Sequence, residues 1–274
     1  MEDQFGKTIL ITGVGSGIGA RTAELAGQLG AEVIGIDLRP PAHQVGMFLE
    51  ADLGSSSSID AVVARLPGRL DALCNVAGVS GANGLAATLA VNFYGLRALT
   101  EATAPRLREG GAVVNVASIA GFGWRANLGR AKAMIDAGNF PTDIAALAAR
   151  HGAGDEMGYP LSKEMLLLWT FRAAREPRFK DRGIRVNAVS PGPVETPILG
   201  QFRAVLGDAR VDGDISRVGR AGTAGDVAPA IAFLCSDGAR WINGANLPVD
   251  GGLEASVSAE AYGFASIGAA TMTA

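Results

Sequence analysis

Short apolar runs alternate along this chain with longer segments of helical periodicity, and this alternation limits the possible folds more than any other feature. The runs are predicted strands, at Thr8–Ile11, Glu32–Ile36, Met47–Leu49, Ala72–Asn75, Ala112–Ala117, Arg185–Ala188 and Asn246–Val249. The helical segments are Gly17–Leu29, Ile59–Leu66, Leu89–Arg108, Tyr159–Arg175 and Asp226–Leu234. Strands that are apolar throughout are typically buried on both faces. The repeated strand–helix–strand order therefore predicts an α/β fold with a doubly wound parallel sheet and right-handed crossovers.

The 274 residues are predicted to form one domain, because no linker or short internal repeat interrupts the alternation. Two stretches do not follow it. Residues 121–158 form a long insertion before the helical segment that begins at Tyr159. Insertions of this length are usually lids, partner surfaces or disordered loops. Residues 252–274 form a tail of small residues, which we expect to fray.

Composition excludes several classes of protein. A net charge of −3 without any Lys/Arg run argues against nucleic acid or an anionic membrane as partner. No signal peptide is recognisable, and no apolar run approaches the roughly 20 residues that span a bilayer. Cys74 and Cys235 both lie in apolar runs, which favours a reduced, cytoplasmic setting. Since His43 and His151 are the only histidines, no zinc site is expected.

A glycine-rich turn lies directly between the first predicted strand and the helix that follows it. Its sequence is Thr12-Gly13-Val14-Gly15-Ser16-Gly17-Ile18-Gly19. Glycines let the backbone approach a pyrophosphate, and the helix N-terminus offers free N–H groups to the anion. Alone, such a run also fits an ordinary strand–helix turn. With a strand before it, a helix after it and an acid downstream, it predicts a dinucleotide site that includes Gly13, Ser16, Gly17 and Ile18.

Asp37, at the end of the second predicted strand, is the downstream acid. A carboxylate there accepts hydrogen bonds from the adenosine ribose hydroxyls and repels the 2′-phosphate of NADP. Arg39 lies two residues later and would offset part of that repulsion. The alternative for Asp37 is a solvated strand end. The pattern predicts NAD as the cofactor.

Two further segments follow predicted strands at the same edge of the sheet. Asp52-Leu53 follows the third strand, and Asn75-Val76-Ala77-Gly78 follows the fourth. Ligands of open α/β sheets bind at the carboxyl ends of the strands. Each segment alone also fits a turn. In this context we expect the cofactor site to include Asp52, Leu53, Asn75, Ala77 and Gly78.

Tyr159 and Lys163 stand four residues apart in the segment Tyr159-Pro160-Leu161-Ser162-Lys163. On a helix this spacing puts both side chains on one face. A nearby ammonium favours the phenolate and lowers the pKa of the phenol from about 10 towards neutral pH. The pair is therefore predicted to serve as a general acid and base. Tyr-x-x-x-Lys also arises by chance on helices, so the interpretation depends on what accompanies it.

Two polar residues accompany the pair. Ser118 follows the apolar strand Ala112–Ala117, so its hydroxyl should emerge at the carboxyl edge and hold a substrate carbonyl. Asn92 lies in the helical segment Leu89–Arg108, where its side chain or a locally opened backbone would hold a water that relays protons to Lys163. The alternative for Asn92 is a satisfied helix amide.

In this order, the motifs resemble the short-chain dehydrogenase/reductase family over roughly residues 7–253. The family's cofactor motif, Thr-Gly-x-x-x-Gly-x-Gly, matches Gly13, Gly17 and Gly19. Its catalytic Asn, Ser, Tyr and Lys match Asn92, Ser118, Tyr159 and Lys163. The resemblance implies a Rossmann fold and hydride transfer between a nicotinamide cofactor and an alcohol or carbonyl carbon. It also implies that Tyr159 and Lys163 contact the cofactor, with a Pro-Gly segment over the nicotinamide at Pro191, Gly192, Val194 and Thr196.

The sequence departs from the family pattern in two places. The usual Asn-Asn-Ala-Gly reads Asn75-Val76-Ala77-Gly78, where the cofactor contacts are expected to be largely backbone. The gap from Ser118 to Tyr159 is far longer than usual. A similar insertion occurs in the bacterial 3α-hydroxysteroid dehydrogenase/carbonyl reductase branch, where it affects subunit packing. The resemblance implies a homodimer or homotetramer, and an insertion that blocks one helix-pair interface favours the dimer.

The substrate is predicted from weaker signals. Segments 73–79, 188–199 and 240–253 most resemble family members that act on coniferyl alcohol, so an aromatic alcohol is the first expectation and a hydroxysteroid or bulky ketone the second. The substrate wall is expected in the insertion and in Ile198–Arg217. Its aromatic and apolar residues would be Phe122, Trp124, Phe140, Leu199 and Phe202, unless these belong to the core or an interface. A non-catalytic nucleotide-sensing protein is the alternative of another class.

Overall fold

The computed structural model describes residues 4–42 and 46–263. Its strands are β1 Thr8–Thr12, β2 Glu32–Asp37, β3 Met47–Glu50, β4 Leu70–Asn75, β5 Leu107–Val116, β6 Arg185–Pro191, β7 Val194–Glu195, β8 Gly222–Thr223 and β9 Asn246–Val249. Seven of them form one sheet in the order β3-β2-β1-β4-β5-β6-β9, and every neighbouring pair is parallel. Strands β7 and β8 pair separately. The predicted doubly wound parallel sheet is confirmed.

Helices cover both faces of the sheet. They are α1 Gly17–Gln28, α2 Ser56–Ala64, α3 Leu85–Leu89, α4 Leu96–Thr103, α5 Leu128–Asp136, α6 Ile144–Arg150, α7 Gly158–Ala173, α8 Pro177–Lys180, α9 Pro197–Leu206, α10 Asp208–Val218, α11 Ala224–Cys235 and α12 Leu253–Ala261. One core lies between the sheet and α2, α4 and α7, and the other between the sheet and α1 and α11. The central strands β4 and β6 are buried along their whole length, as their apolar runs predict.

The predicted helix Leu89–Arg108 is divided in the structure. A π-helical turn, Ala90–Gly95, separates α3 from α4, and β5 already begins at Leu107. The turn ends at Gly95, where a Cβ would overlap the carbonyl oxygen of Leu53, so the helix packs closely against the loop after β3. Single π-helical turns of this kind are frequent at functional sites.

The insertion, residues 121–158, contains two helices that pack against the rest of the fold. Helix α5 packs on α7, and α6 contacts α3. Tyr94 donates its hydroxyl hydrogen to the carbonyl of Met134 (2.9 Å), and Arg97 donates to the carbonyl of Ile135 (2.7 Å). The face of α4 and α7 that the insertion covers is thus occupied by the chain itself.

The tail predicted to fray begins with helix α12, and residues 264–274 lie outside the described part of the chain, as does His43. Cys74 on β4 and Cys235 on α11 are buried free thiols whose sulfurs are 3.4 Å apart, a proximity that the sequence did not predict. No helix within residues 4–42 and 46–263 is long and apolar enough to cross a membrane.

Candidate functional site

A cleft of about 940 Å³ opens at the carboxyl edge of the sheet, where β1 and β4 are neighbours. The chain leaves β1 towards α1 on one face and leaves β4 towards α3 and α4 on the other, so the two loops separate and leave a crevice. The lining includes most of the residues predicted as sites: Gly13, Ser16, Gly17, Ile18, Asp37, Asp52, Leu53, Ala77, Gly78, Ser118, Tyr159, Lys163, Pro191, Gly192, Val194 and Thr196. Asn75 and Asn92 lie behind this lining.

The glycine-rich turn is packed so closely that side chains are excluded. A Cβ on Gly13 would lie 2.9 Å from the backbone of Ala77, and one on Gly19 would overlap the carbonyl oxygen of Gly13. Gly17 has φ of +56° and faces the methyl group of Thr196. Thr12, which opens the motif, accepts hydrogen bonds from the N–H groups of Val76 and Ala77 (2.9 and 3.0 Å) and so ties the ends of β1 and β4 together.

Two carboxylates lie at this end of the cleft. Asp37 accepts a hydrogen bond from the N–H of Gly15 (2.9 Å) and a longer one from that of Arg39 (3.3 Å). Its carboxylate is therefore held against the glycine turn. Asp52 accepts from the N–H of Gly54 (2.7 Å), which folds its side chain back on its own loop.

The side chain of Asn75 turns away from the cleft. Its amide nitrogen donates to Thr100 and to Asn115, each at 2.8 Å, within the core between β4, β5 and α4. Only the backbone that follows Asn75 reaches the cleft, through Val76, Ala77 and Gly78. The predicted contact of Asn75 with a cofactor is therefore not one that its side chain can make in this arrangement.

Asn92 lies in the π-helical turn and is fully buried. Its side-chain oxygen accepts from the N–H of Val79 (2.7 Å), and its nitrogen donates to the carbonyl of Val79 (2.9 Å) and to Ser162 (3.2 Å). The amide side chain is thus occupied in fixing the loop after β4. The sequence suggested that either the Asn92 side chain or an opened backbone would hold a water. Because the side chain is already hydrogen-bonded, the backbone of the π-helical turn is the remaining option.

Ser118, Tyr159 and Lys163 meet in the middle of the cleft. Ser118 caps the 3₁₀ segment Ile119–Arg125, where its hydroxyl oxygen accepts from the N–H of Ala120 (3.2 Å), and its interaction with the Tyr159 hydroxyl lowers the pKa of that phenol. The ammonium of Lys163 lies 5.6 Å from the centre of the Tyr159 ring. It donates to the carbonyl of Val116 (2.9 Å), and the residue is only 4% exposed. One turn of α7 and the end of β5 therefore bring the predicted catalytic groups together.

The pKa values of these groups differ from the sequence expectation. Burial raises the pKa of Tyr159 to about 12, and the hydrogen bond with Ser118 offsets this only in part. Burial also lowers the pKa of Lys163, to about 8. The phenol pKa is therefore raised in the protein alone, not lowered as the sequence predicted, because burial removes the phenol from water.

Helix α9 covers the cleft. Thr196 precedes it and contacts the glycine turn, and the ring of Phe202 packs edge-on against the ring of Tyr159 with centroids 4.6 Å apart. Gln201 accepts a hydrogen bond from Ser80 in the loop after β4 (2.7 Å). The helix thus closes one side of the space next to Tyr159.

Only part of the predicted aromatic wall lines the cleft. Leu199 and Phe202 do so. Phe122, Trp124 and Phe140 instead pack against the larger core, with the Trp124 ring 5.8 Å from that of Phe171 and the Phe140 ring 6.3 Å from that of Tyr94. Their assignment to the pocket was wrong, because the insertion folds outward onto α4 and α7.

Three lining residues from α10 were not singled out from the sequence: Arg210, Val211 and Asp214. They lie within the segment Ile198–Arg217 predicted as part of the wall, but no motif marks them. Their i, i+1 and i+4 spacing puts them on one face of a helix, and this spacing is the sequence signal by which they could have been identified.

The residues present fit a dinucleotide. Side chains are excluded from the glycine turn, a carboxylate is held beside it, and a lysine and a tyrosine lie at the far end of the same cleft. No three His, Cys, Asp or Glu side chains in the described ranges are grouped as a metal site.

Comparisons with known proteins cover nearly the whole chain. Residues 7–129 match the family model described as short chain dehydrogenase, and residues 130–254 match the one described as Enoyl-(Acyl carrier protein) reductase. A coniferyl-alcohol dehydrogenase of Pseudomonas sp. is 42% identical over 247 residues, which cover 90% of this chain and 96% of that protein.

Two solved structures carry nicotinamide cofactors. The 3-alpha-hydroxysteroid dehydrogenase of Pseudomonas sp. B-0831, in complex with NADH, is 35% identical with a TM-score of 0.76 and covers 92% of this chain and 99% of its own. A short chain dehydrogenase from Burkholderia cenocepacia, in complex with NADP, is 27% identical with a TM-score of 0.70 and the same coverage, 92% and 99%.

Proposed function

The chain belongs to the short-chain dehydrogenase/reductase family of oxidoreductases, and from that premise we propose that it interconverts an aromatic, coniferyl-like alcohol and its carbonyl compound with NAD as cofactor. The membership confirms the resemblance stated from the motifs. One observation carries the proposal: Ser118, Tyr159 and Lys163 line the same cleft as the glycine turn, with the Lys163 ammonium 5.6 Å from the centre of the Tyr159 ring.

Asp37 supports NAD over NADP. Family members use nicotinamide cofactors, and the two solved structures above contain NADH and NADP. Here the carboxylate of Asp37 accepts a hydrogen bond from the N–H of Gly15 at the end of the second strand, the place at which an acid binds the adenosine ribose in dinucleotide-binding folds. Its charge favours ribose hydroxyls and disfavours a 2′-phosphate.

Tyr159 is proposed as the general acid and base. The nicotinamide cofactor, when bound, supplies the hydride acceptor for oxidation and the donor for reduction. Ser118 and Tyr159 bind the substrate oxygen, and Tyr159 takes its proton in oxidation and returns it in reduction. With its pKa raised to about 12, Tyr159 is protonated at neutral pH and can act as the acid in reduction. Oxidation needs the phenolate, which a higher pH or a nearby positive charge would favour.

Lys163 and Asn92 assist this proton transfer. The Lys163 ammonium, 5.6 Å from the centre of the Tyr159 ring, would favour the phenolate and would hold the ribose hydroxyls of the cofactor. The π-helical turn around Asn92 offers backbone groups for a water that returns protons by way of Lys163. Because both side-chain atoms of Asn92 already bind Val79, its role is to hold that backbone in place.

The space next to Tyr159 supports a flat apolar substrate. Leu199 and Phe202 of α9 form its wall, and the relative that is 42% identical acts on coniferyl alcohol. A 3α-hydroxysteroid or another bulky carbonyl compound is the second candidate, favoured by the structural similarity to the 3-alpha-hydroxysteroid dehydrogenase. Two buried thiols without a disulfide fit a reducing compartment such as the cytoplasm.

The deciding experiment measures initial rates with NAD and with NADP on coniferyl, cinnamyl and benzyl alcohols and on a 3α-hydroxysteroid. We expect NAD-dependent oxidation of the aromatic alcohols. Oxidation of the steroid alone would leave the proposed mechanism unchanged but would identify a hydroxysteroid as the substrate class. NADH binding, detected by fluorescence, without turnover of any alcohol would support a non-catalytic nucleotide-sensing protein instead.

A further inference from the structure

The helices that follow β7 contribute both apolar and charged side chains to the cleft. Helix α9 contributes Leu199 and Phe202, and the Phe202 ring packs against that of Tyr159. Helix α10, which follows α9 and packs against it, adds two charged side chains to the same lining, Arg210 and Asp214. An otherwise apolar pocket with a few placed polar groups is typical of a site that orients its ligand.

The two faces of α10 have different partners. Asp208 and Asp212 face α9 and form ion pairs with Arg203, at 3.2 and 2.8 Å. Arg210 and Asp214, one turn apart, form their own ion pair with Nε and Oδ2 separated by 3.2 Å. The ion pairs with Arg203 connect α10 to α9. The Arg210–Asp214 pair lies on the other face of α10, which lines the cleft.

The guanidinium of Arg210 has donors to spare. Of its five N–H groups, the one on Nε is used by Asp214, and the two terminal nitrogens make no hydrogen bond within residues 4–42 and 46–263. The side chain is 71% exposed, while that of Asp214 is 20% exposed. Asp214 therefore fixes the orientation of a guanidinium whose remaining donors are free to bind a ligand.

We propose that Arg210 is a specificity-determining residue, which binds a neutral hydrogen-bond acceptor at the end of the substrate remote from the reacting carbon. This inference rests on the proposed function. A phenol or methoxy oxygen on the ring of an aromatic alcohol is such an acceptor. The paired carboxylate of Asp214 leaves little net charge, so an anionic group would gain little from Arg210 and would be repelled by Asp214.

The test compares coniferyl alcohol, which has ring oxygens, with cinnamyl alcohol, which has none. Arg210→Ala should raise the KM for coniferyl alcohol about fivefold, the upper end of what a charged interaction contributes at an exposed site. The KM for cinnamyl alcohol and the Kd for NADH should stay within twofold of wild type. Arg210→Lys should recover part of the loss.

Arg217→Ala is the matched control, because Arg217 lies on the same helix, pairs with Glu260 and does not line the cleft. It should leave both substrates unaffected. An equal loss for both alcohols in Arg210→Ala, or weaker NADH binding, would show that Arg210 holds the helix or the cofactor and would overturn the inference. So would an unchanged KM for coniferyl alcohol. A wild-type enzyme that oxidises neither alcohol would refute the proposed function itself, and the inference with it.

Discussion

Tyr159 is the residue on which the proposed chemistry depends, and its surroundings predict a pH dependence. Burial raises its pKa to about 12 in the protein alone, so the phenolate needed for oxidation is scarce at neutral pH. Oxidation requires the phenolate and reduction requires the phenol. We therefore expect kcat/KM for alcohol oxidation to rise between pH 6 and 10, while kcat/KM for carbonyl reduction stays flat or falls.

Tyr159→Phe is the control for this profile. Removing the hydroxyl should reduce kcat by about 10²- to 10⁴-fold in both directions, because the proton transfer is lost, and leave the Kd for NADH nearly unchanged, because the glycine turn, Asp37 and Lys163 remain to bind the cofactor. The residual activity should lose the pH dependence attributed to the phenol. A variant that turns over within tenfold of wild type would contradict the role of Tyr159.

Asp37 decides the cofactor at the other end of the cleft. Asp37→Ala removes the carboxylate that lies beside the N–H of Gly15, and with it the repulsion of a 2′-phosphate. We expect the ratio of kcat/KM for NAD over NADP to fall about tenfold or more. Asp52→Ala is the comparison, since Asp52 also lines the cleft but is folded onto Gly54. Asp52→Ala should leave the NAD/NADP ratio unchanged. A similar fall of the ratio in Asp52→Ala would mean that the total negative charge of the cleft, and not the position of Asp37, determines the cofactor preference.

At the scale of elements, the insertion is held by a few polar contacts. Arg97 donates from one nitrogen to the carbonyls of Ile135 (2.7 Å) and Gly138 (3.2 Å), and its side chain is only 11% exposed. Arg97→Ala leaves these carbonyls without their donor and should lower the free energy of unfolding by about 1–3 kcal/mol, measured by urea denaturation. It should also expose residues 137–142 to limited proteolysis.

Lys132→Ala provides the matched comparison within the insertion. Lys132 is 72% exposed and pairs with Asp136 on the surface of α5. A solvent-exposed ion pair of this kind contributes at most about 1 kcal/mol. If Arg97→Ala cost no more stability than Lys132→Ala, the insertion would be held mainly by its apolar contacts.

The elements differ in how well the sequence predicts them, for physical reasons. Strands of the sheet were located correctly because burial on both faces makes them apolar throughout. An opened backbone at Asn92 was one of the two predicted options, but the division of the helix Leu89–Arg108 was not predicted, since the close approach of Gly95 to Leu53 is a contact between distant parts of the chain. Similarly, periodicity cannot say whether an aromatic side chain such as Trp124 faces the cleft or the core, since both environments are apolar.

The candidate site shows the same division. Glycines and the spacing of Tyr159 and Lys163 are local signals, and they located the cleft correctly. The inward turn of Asn75 and the place of Arg210 in the cleft depend on how β4 and α10 are oriented in the folded chain. No local pattern records those orientations.

For the whole molecule, the surface that is left uncovered predicts how copies associate. The helices of the insertion pack on α7 and α3, and Arg97 of α4 is hydrogen-bonded to the insertion at Ile135. At one end of the sheet, β9 is an edge strand that pairs only with β6 among the strands of the described ranges. Three large apolar side chains are exposed on or near that edge: Phe233 on α11, Trp241 between α11 and β9, and Leu247 on β9. Exposed apolar groups beside a free edge favour self-association.

We therefore expect a homodimer that associates through the β9 edge, with a mass in solution twice the 27.9 kDa of one chain. Trp241 is 97% exposed and lies outside the cleft, so Trp241→Glu should weaken the dimer without changing NADH binding to the monomer. Light scattering coupled to size exclusion measures the shift. Leu128→Glu changes an exposed apolar residue at the start of α5 and should leave the dimer intact. If Leu128→Glu dissociated the protein and Trp241→Glu did not, the insertion would be the partner surface, and its helices would serve association between chains as well as packing within one.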